Sequence, residues 1–420
     1  MHGRRFFRAG RRGRQAQTLA RGLCGGLVAL GMLASGGWAS AGTGGSTANS
    51  GGTALQSALR KDLSEYLAQR KQAEHISAIS LRVIFPGGKP SINQAVGTTR
   101  YGGGRPVSPR DLWQIGSNTK SFTSVIVLQL EAEGRLSIDD TLGKWLPQYP
   151  AWKSITIRQL LNMTSRIPDY LAQPAFIKAL AANPRTVFSE RQLVSYVSGL
   201  PLLPPGWSYS NTNYILAQMI IEKVTRDSYA DQLTKRIIIP LRLRTTCLGS
   251  YTCPTGTAAR MPDGYWWGNP PPLDKLNGTP FPKLGLTWAQ AAGGIVTSLP
   301  DVTTWFRALY QGKELPPRQQ RQLESLVSEL TGQPITMSTP GNPGFGLGVQ
   351  QATNSVTGTI WDYEGETPGY RVLHLYHPAS GVIFVLAANS GAQGPSDQLG
   401  SGLAITVFKT LQAAGALTKH

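Results

Sequence analysis

Serine, lysine and tyrosine stand in this chain at spacings that suit nucleophilic acyl transfer. Ser117-Asn118-Thr119-Lys120 is its one Ser-x-x-Lys, and three residues of helix carry both side chains to the same face. A lysine held there keeps the hydroxyl in place and, once desolvated, gives up its proton at a lower pH than in water. The pair opens an apolar helical stretch, so unpaired backbone N–H groups and the positive end of the helix dipole lie where an oxyanion would form. By itself the spacing is weak, since chance supplies about one such pattern in a chain of this length. Tyr209-Ser210-Asn211, also present once, follows Pro204-Pro205-Gly206 on a loop before a helix beginning near Tyr214. A tyrosine beside a lysine ammonium is favoured as phenolate and can serve as a general base near neutral pH. Taken alone this segment reads as an ordinary loop at a helix start, with Ser210 or Asn211 capping and Tyr209 packing. Only the pairing with Ser117 reverses that reading.

Other chemistries fit less well. No Gly-x-Ser-x-Gly elbow exists for a Ser-His-Asp triad. His374 and His377 lie three apart on an expected strand, point to opposite faces and read as core or surface residues. No histidine is near Cys247 and Cys253 in sequence, so neither zinc nor any other metal is expected, and no cofactor. Six positions apart, those two cysteines suit a tight disulfide in an oxidising compartment.

The elements that must position these residues begin after a distinct N-terminus. Seven arginines precede an uncharged apolar run, Gly22 to Trp38, which closes on Ala39-Ser40-Ala41. Residues 1–41 therefore read as a signal peptide, too short and glycine-rich in its apolar part to span a bilayer well, and the protein as exported, periplasmic or secreted. Without it the chain keeps 34 basic against 23 acidic residues, about +11 net. The charges are scattered, with none of the basic helices or aromatic interleaving of nucleic-acid binders. Residues 42–52, nearly all Gly, Ser, Thr, Ala and Asn, read as a flexible linker, and 53–420 as a single domain. A helix is expected around Leu55 to Gln69, strands at Ile76 to Phe85 and Ile92 to Tyr101, and a largely buried helix from Ser117 to Glu133 stopped by Gly134. Residues 140–310 mix short helices with proline-rich loops and carry few strand signals. Strands return at Phe345 to Gln350, Thr357 to Tyr363, Tyr370 to Tyr376 and Val382 to Ala388, before a closing helix, Leu399 to Leu411. The fold class is α/β of the α+β kind: an antiparallel sheet flanked by helices, assembled from both ends of the chain, beside a mostly helical region.

Ile115-Gly-Ser-Asn-Thr-Lys-Ser-Phe-Thr123 and Tyr209-Ser-Asn-Thr-Asn-Tyr214 resemble the first two motifs of the serine β-lactamase and penicillin-binding-protein-like family, in its class C β-lactamase, D-alanyl-D-alanine carboxypeptidase and esterase branch. Leu128 to Gly134, Leu136 to Asp140, Ile155 to Leu161, Ala291 to Thr297 and Glu366 to Tyr370 are similar to family segments in the family's order. The resemblance implies a covalent acyl-serine enzyme acting on a small ester, amide or D-amino-acid peptide, cell-wall-derived peptides among them. Ser117 would be the nucleophile, with Lys120 and Tyr209 handling its proton. Asn211 would bind the substrate amide, and the backbone N–H groups of Ser117 and Glu366 would hold the oxyanion. The third motif departs from the family, reading Tyr363-Glu364-Gly365 where Lys-Thr-Gly or His-x-Gly is usual. The glycine is kept, but Tyr363 brings no cation for a substrate carboxylate. Arg166, where the family commonly has glycine, or Arg371 is a candidate replacement, although solvated surface positions suit both better. On strand alternation Tyr363 and Gly365 share the face toward the groove. The altered motif keeps a second class open: an envelope binding or scaffolding protein that inherited the fold and lost turnover.

Overall fold

The computed structural model describes residues 50–391, 399–400 and 402–417. The expected signal peptide and residues 42–49 of the expected linker lie outside them. The first helix, α1 (Ser50–Glu74), takes in residues 50–52, so the linker reading ran three residues too far.

Thirteen strands follow among the described residues. The first four are β1 (Ala78–Ile84), β2 (Ile92–Arg100), β3 (Gly103–Pro106) and β4 (Leu112–Gln114). The middle of the chain supplies β5 (Cys247–Leu248) and β6 (Ile295–Ser298). The C-terminal part supplies β7 (Leu326–Ser328), β8 (Pro334–Ile335), β9 (Gly344–Phe345), β10 (Gln350–Asn354), β11 (Gly358–Thr367), β12 (Tyr370–His377) and β13 (Val382–Ala388). Ten of these make one sheet in the order β3-β2-β1-β13-β12-β11-β10-β9-β7-β8. It closes between the two ends of the chain, where β1 runs antiparallel to β13 with Ile79 opposite Ala388. The expected architecture of an antiparallel sheet joined from distant segments is the one observed.

The longer helices bearing on the site are α2 (Thr119–Ala132), α3 (Thr212–Thr225), α4 (Leu299–Tyr310) and α5 (Leu403–Ala413). β13 is apolar at every position because both of its faces are covered. Ile383, Val385 and Ala387 join the core that contains α2 and α4, whereas Val382, Phe384, Leu386 and Ala388 join the core made with α1 and α5. In the second core Leu59 and Leu63 of α1 pack with Leu403, Val407 and Phe408 of α5, each fully buried large side chain contributing about 1.5–3 kcal/mol. α2 is apolar on more than one face for the same reason. Phe122, Val125, Ile126, Leu128 and Leu130 are all buried, and the Phe122 ring stacks on Trp305 of α4 at 3.9 Å.

Three further differences from the sequence reading bear on the site. Ser117 belongs to a 3-10 turn, Gly116–Asn118, and α2 proper starts at Thr119. The expected strand Phe345 to Gln350 is broken into β9 and β10. Gly348 (φ +76°) turns the chain there, at a point where a Cβ would lie 2.8 Å from Ser124 Oγ and 2.9 Å from the Lys120 carbonyl. The mid-chain region hides a second sheet, β4-β6-β5. Strands of two to four residues are too short for alternation to reveal them.

Cys247 and Cys253 are disulfide-bonded with Cα atoms 4.9 Å apart, and Cys247 pairs with Val296 in the small sheet. A bridge closing so short a loop constrains the unfolded chain modestly, by about 2–3 kcal/mol. Replacing both cysteines by serine should lower the unfolding free energy, read from a denaturant titration, by that order. Peptide mapping of the unreduced protein with a thiol alkylator should find neither cysteine modified; two alkylated thiols would rule the bridge out.

Candidate functional site

Two short segments set side by side by the small sheet hold the centre of the site. β4 pairs with β6, Trp113 opposite Thr297, and beyond the ladder the Ile115 N–H donates to the Ile295 carbonyl at 3.0 Å. This pairing brings the turn carrying Ser117 against the turn Ala291–Gly294. Asn118 anchors the first turn to the large sheet, donating from Nδ2 to the Val372 carbonyl at 2.7 Å while Oδ1 meets His374 Nδ1 at 2.7 Å. His374 is buried, stacked on Phe306, and burial pushes its imidazole down to about 3. His377 packs on the other face, edge-on to Phe408. Both are core histidines.

Lys120 is fully buried. Its Nζ donates to Ser117 Oγ at 2.9 Å, to Asn211 Oδ1 at 2.8 Å and to the Ala292 carbonyl at 2.7 Å. Tyr209 Oη lies 2.6 Å from Ser117 Oγ, and the ammonium sits 4.8 Å from the Tyr209 ring centre. The three residues singled out for nucleophile and proton transfer thus form one hydrogen-bonded chain, although 92 positions separate Ser117 from Tyr209. Asn211 was expected to meet a substrate amide. Its amide bridges two protein groups, accepting from Lys120 and donating from Nδ2 to Asp169 Oδ2 at 2.9 Å.

The third motif lies on β11, which passes the Ser117 turn closely. A Cβ at Gly365 would fall 2.0 Å from the Ile115 carbonyl, and one at Gly116 would fall 2.5 Å from the Glu366 nitrogen. Glycine is required at 365 by this approach, and the Glu366 peptide is brought beside the nucleophile turn. Glu364 points to the opposite face, where its carboxylate accepts from the Leu399 and Gly400 N–H groups. Tyr363 faces the same side as Gly365 but is buried in an aromatic wall, Tyr209 to Trp207 to Phe345 to Tyr363, with ring centres 5.7–6.3 Å apart.

Neither candidate arginine is a solvated surface residue held ready for the groove. Arg371 is fully buried on the far face of β12, ion-paired with Glu74 and donating from Nε to the Ser390 carbonyl. Opposite charge already meets it there. Arg166 donates from Nε to the Leu203 carbonyl at 2.6 Å. Its φ of +66° is the left-handed conformation for which glycine is suited.

Sequence reasoning passed over two partners of the machinery, the Ala292 carbonyl and Asp169. The first is a backbone group and carries no side-chain signal. The second stands in Ile167-Pro168-Asp169-Tyr170 and caps the turn Tyr170–Ala172 through the Leu171 N–H. Its carboxylate is buried and also accepts from the Asn211 N–H at 3.2 Å; burial raises it to about 6, against the opposing pull of the Leu171 and Asn211 hydrogen bonds and of Lys120.

A profile of the family described as Beta-lactamase matches residues 63–405. By sequence the chain is 28% identical over 280 residues to Penicillin-binding protein 4* of Bacillus subtilis (strain 168), covering 64% of this chain and 58% of that protein. It is also 28% identical over 264 residues to Protein flp of Staphylococcus aureus (strain N315), of which it covers 50%. The chain thus spans little more than half the length of these relatives. Among solved structures, a D-stereospecific amidohydrolase from Streptomyces sp. superposes with a TM-score of 0.67 at 27% identity, over 83% of this chain and 98% of that one.

The tight passage of β11 generates a direct test. Gly365→Ala must push the Ile115 carbonyl and the Ser117 turn away, and displacements near 1 Å cost reacting groups about 100-fold in rate. Labelling by a serine-directed fluorophosphonate should slow by that order, with the variant still folded by circular dichroism. A wild-type labelling rate would show that the turn does not depend on this contact.

Proposed function

Because this chain belongs to the β-lactamase family, we propose that it is a serine hydrolase that carries an acyl group on Ser117 during hydrolysis of small ester, amide or D-amino-acid peptide substrates. The observation that carries the proposal is the chain Tyr209 Oη, Ser117 Oγ, Lys120 Nζ at 2.6 and 2.9 Å. Lys120 donates to Ser117 Oγ, which leaves the serine's own hydrogen free to point at Tyr209 Oη. As Ser117 Oγ bonds to the substrate carbonyl carbon, its proton passes to Tyr209 as phenolate, whose negative charge the Lys120 ammonium stabilises. The carbonyl oxygen becomes an oxyanion held by the N–H groups of Ser117 and Glu366. Tyr209 then protonates the leaving amine or alkoxide as the carbon–leaving-group bond breaks. In the second half, water adds to the acyl carbon and gives its proton to Tyr209, which returns it to Ser117 Oγ as the acyl–oxygen bond breaks.

The fold relatives favour amide substrates of D configuration within that range. One is titled a D-stereospecific amidohydrolase. Export, to a periplasm or beyond the cell, is proposed on the composition of residues 1–41 alone.

At the third motif the strand position where the family usually carries a cation holds Tyr363, neutral and buried in the aromatic wall. A charge-assisted hydrogen bond is roughly twice as strong as a neutral one, so substrates bearing a carboxylate lose about 1–2 kcal/mol relative to neutral ones, or about tenfold. We expect better turnover of uncharged short-chain p-nitrophenyl esters and D-amino-acid amides than of nitrocefin or a D-Ala-D-Ala peptide. Tyr363→His should shift the kcat/KM ratio toward carboxylates by about tenfold. A wild-type preference for nitrocefin over every neutral ester and amide would refute this specificity.

The assignment of chemistry has its own test. Ser117→Ala should abolish fluorophosphonate labelling and turnover on every substrate, and Lys120→Ala should nearly match it, since residues acting as one unit do not contribute additively. Hydrolysis at the wild-type rate by Ser117→Ala would sink the proposal. A wild type that binds a fluorescent penicillin reversibly without becoming labelled would favour the binding-protein alternative.

A further inference from the structure

We propose that Asp169 is a positioning residue for the nucleophile: by holding the Asn211 amide in one orientation, it fixes the acceptor against which Lys120 is aligned. This rests on the serine-hydrolase reading above. An asparagine amide has one accepting end and one donating end, and rotation by half a turn exchanges them. A carboxylate only accepts. With Asp169 Oδ2 taking the Asn211 Nδ2 hydrogen at 2.9 Å, Asn211 Oδ1 is left facing Lys120 Nζ at 2.8 Å. The flipped amide would set its carbonyl against a carboxylate and its NH₂ against an ammonium, two repulsive contacts in a buried site. Asp169 therefore selects the orientation, and Asn211 transmits it.

The carboxylate is itself held firmly. Asp169 Oδ1 accepts from the Leu171 and Asn211 N–H groups at 3.1 and 3.2 Å. The loop that carries it is joined to the Tyr209 loop along its length. Ser208 N–H donates to the Met163 carbonyl, Ser165 Oγ to Asn213 Oδ1, Thr212 Oγ1 to the Pro168 carbonyl, and Tyr170 N–H to Thr212 Oγ1. Met163 and Arg166 take left-handed φ values of +65° and +66° in that loop, a conformation that persists only where surrounding contacts impose it.

Charge follows the same path. Three groups that accept from Lys120 Nζ are uncharged: a serine hydroxyl, an amide oxygen and a backbone carbonyl. Asp169 stands one side chain beyond, and Lys120, from α2, is the charged group that acts on it; its hydrogen-bonding neighbours Leu171 and Asn211 are neutral. When the carboxyl takes up a proton it gains a donor and loses the charge that holds the amide. Raised to about 6, that event falls within the working range, so acylation should weaken as pH falls through about 6.

The test measures second-order fluorophosphonate labelling of the full chain between pH 4.5 and 8.5, for wild type, Asp169→Asn, Asn211→Ala and the double variant. The inference expects Asp169→Asn to label on the order of 100-fold more slowly at pH 7.5, without the decline near pH 6. On a p-nitrophenyl ester the loss should fall on kcat with little change in KM. In the Asn211→Ala background, Asp169→Asn should cost less than threefold, because the path it acts through is gone. Equal costs in both backgrounds would mean that Asp169 serves the fold alone and would overturn the inference. A wild-type rate and profile in Asp169→Asn would do the same. If Asp169→Asn melts below the assay temperature, the wild-type profile decides: a decline centred near pH 6 supports the inference, and a flat profile down to pH 4.5 refutes it. A wild type that is not labelled, or a Ser117→Ala variant that is, overturns the serine-hydrolase reading and this inference with it, a result distinct from those above.

Discussion

An ammonium group removed from water must give its hydrogens to acceptors inside the protein, or lose several kcal/mol of solvation without return. Lys120 meets that demand with acceptors from three separate parts of the chain: Ser117, three residues before it, Asn211 on the Tyr209 loop, and the Ala292 carbonyl in the turn before β6. Each partner has to be delivered by its own piece of architecture. The 3-10 turn before α2 delivers Ser117, the clasp between residues 163–170 and 208–213 delivers Asn211, and the β4-β6 pairing brings the Ala292 turn alongside. Satisfying one buried cation therefore brings Ser117, the Tyr209 loop and the Ala292 turn together.

A second constraint is the narrow gap between that turn and the large sheet. β11 has to pass close enough to set the Glu366 peptide beside Ser117, which admits no side chain at 365. Behind it the sheet is braced by charge as well as by packing. Arg371 on the next strand joins Glu74 at the end of α1 and the Ser390 carbonyl after β13. The N-terminal helix thereby contributes to the rigidity of the strand that borders the site, even though it lies on the opposite face.

The same brace explains why the third motif is electrostatically quiet. Arg371 is committed to Glu74, and the strand position that would carry a cation holds Tyr363 within an aromatic wall.

Local pattern alone determined the two motifs, the buried helix that follows the first, the terminal strands that close one sheet and the cysteine pair. Each of these depends on residues within one or two turns of one another, or on a run long enough for its period to show. Val382 to Ala388 reads as a strand because its apolar run is long enough to show, and Gly365 reads as the kept glycine of the third motif because Glu366 to Tyr370 follows it in the family's order. Tertiary structure decided what distant segments do to each other. It set Ser117 beside Tyr209, turned Asn211 toward a protein carboxylate, gave Arg371 a buried partner and recruited a backbone carbonyl at residue 292. Asp169 caps a turn within its own segment, but its role as a partner of Asn211 needs a neighbour 42 positions away. The two- to four-residue strands β4, β5 and β6 escaped notice for a related reason. Their stability comes from pairing across the chain, and so few residues hold no period of their own.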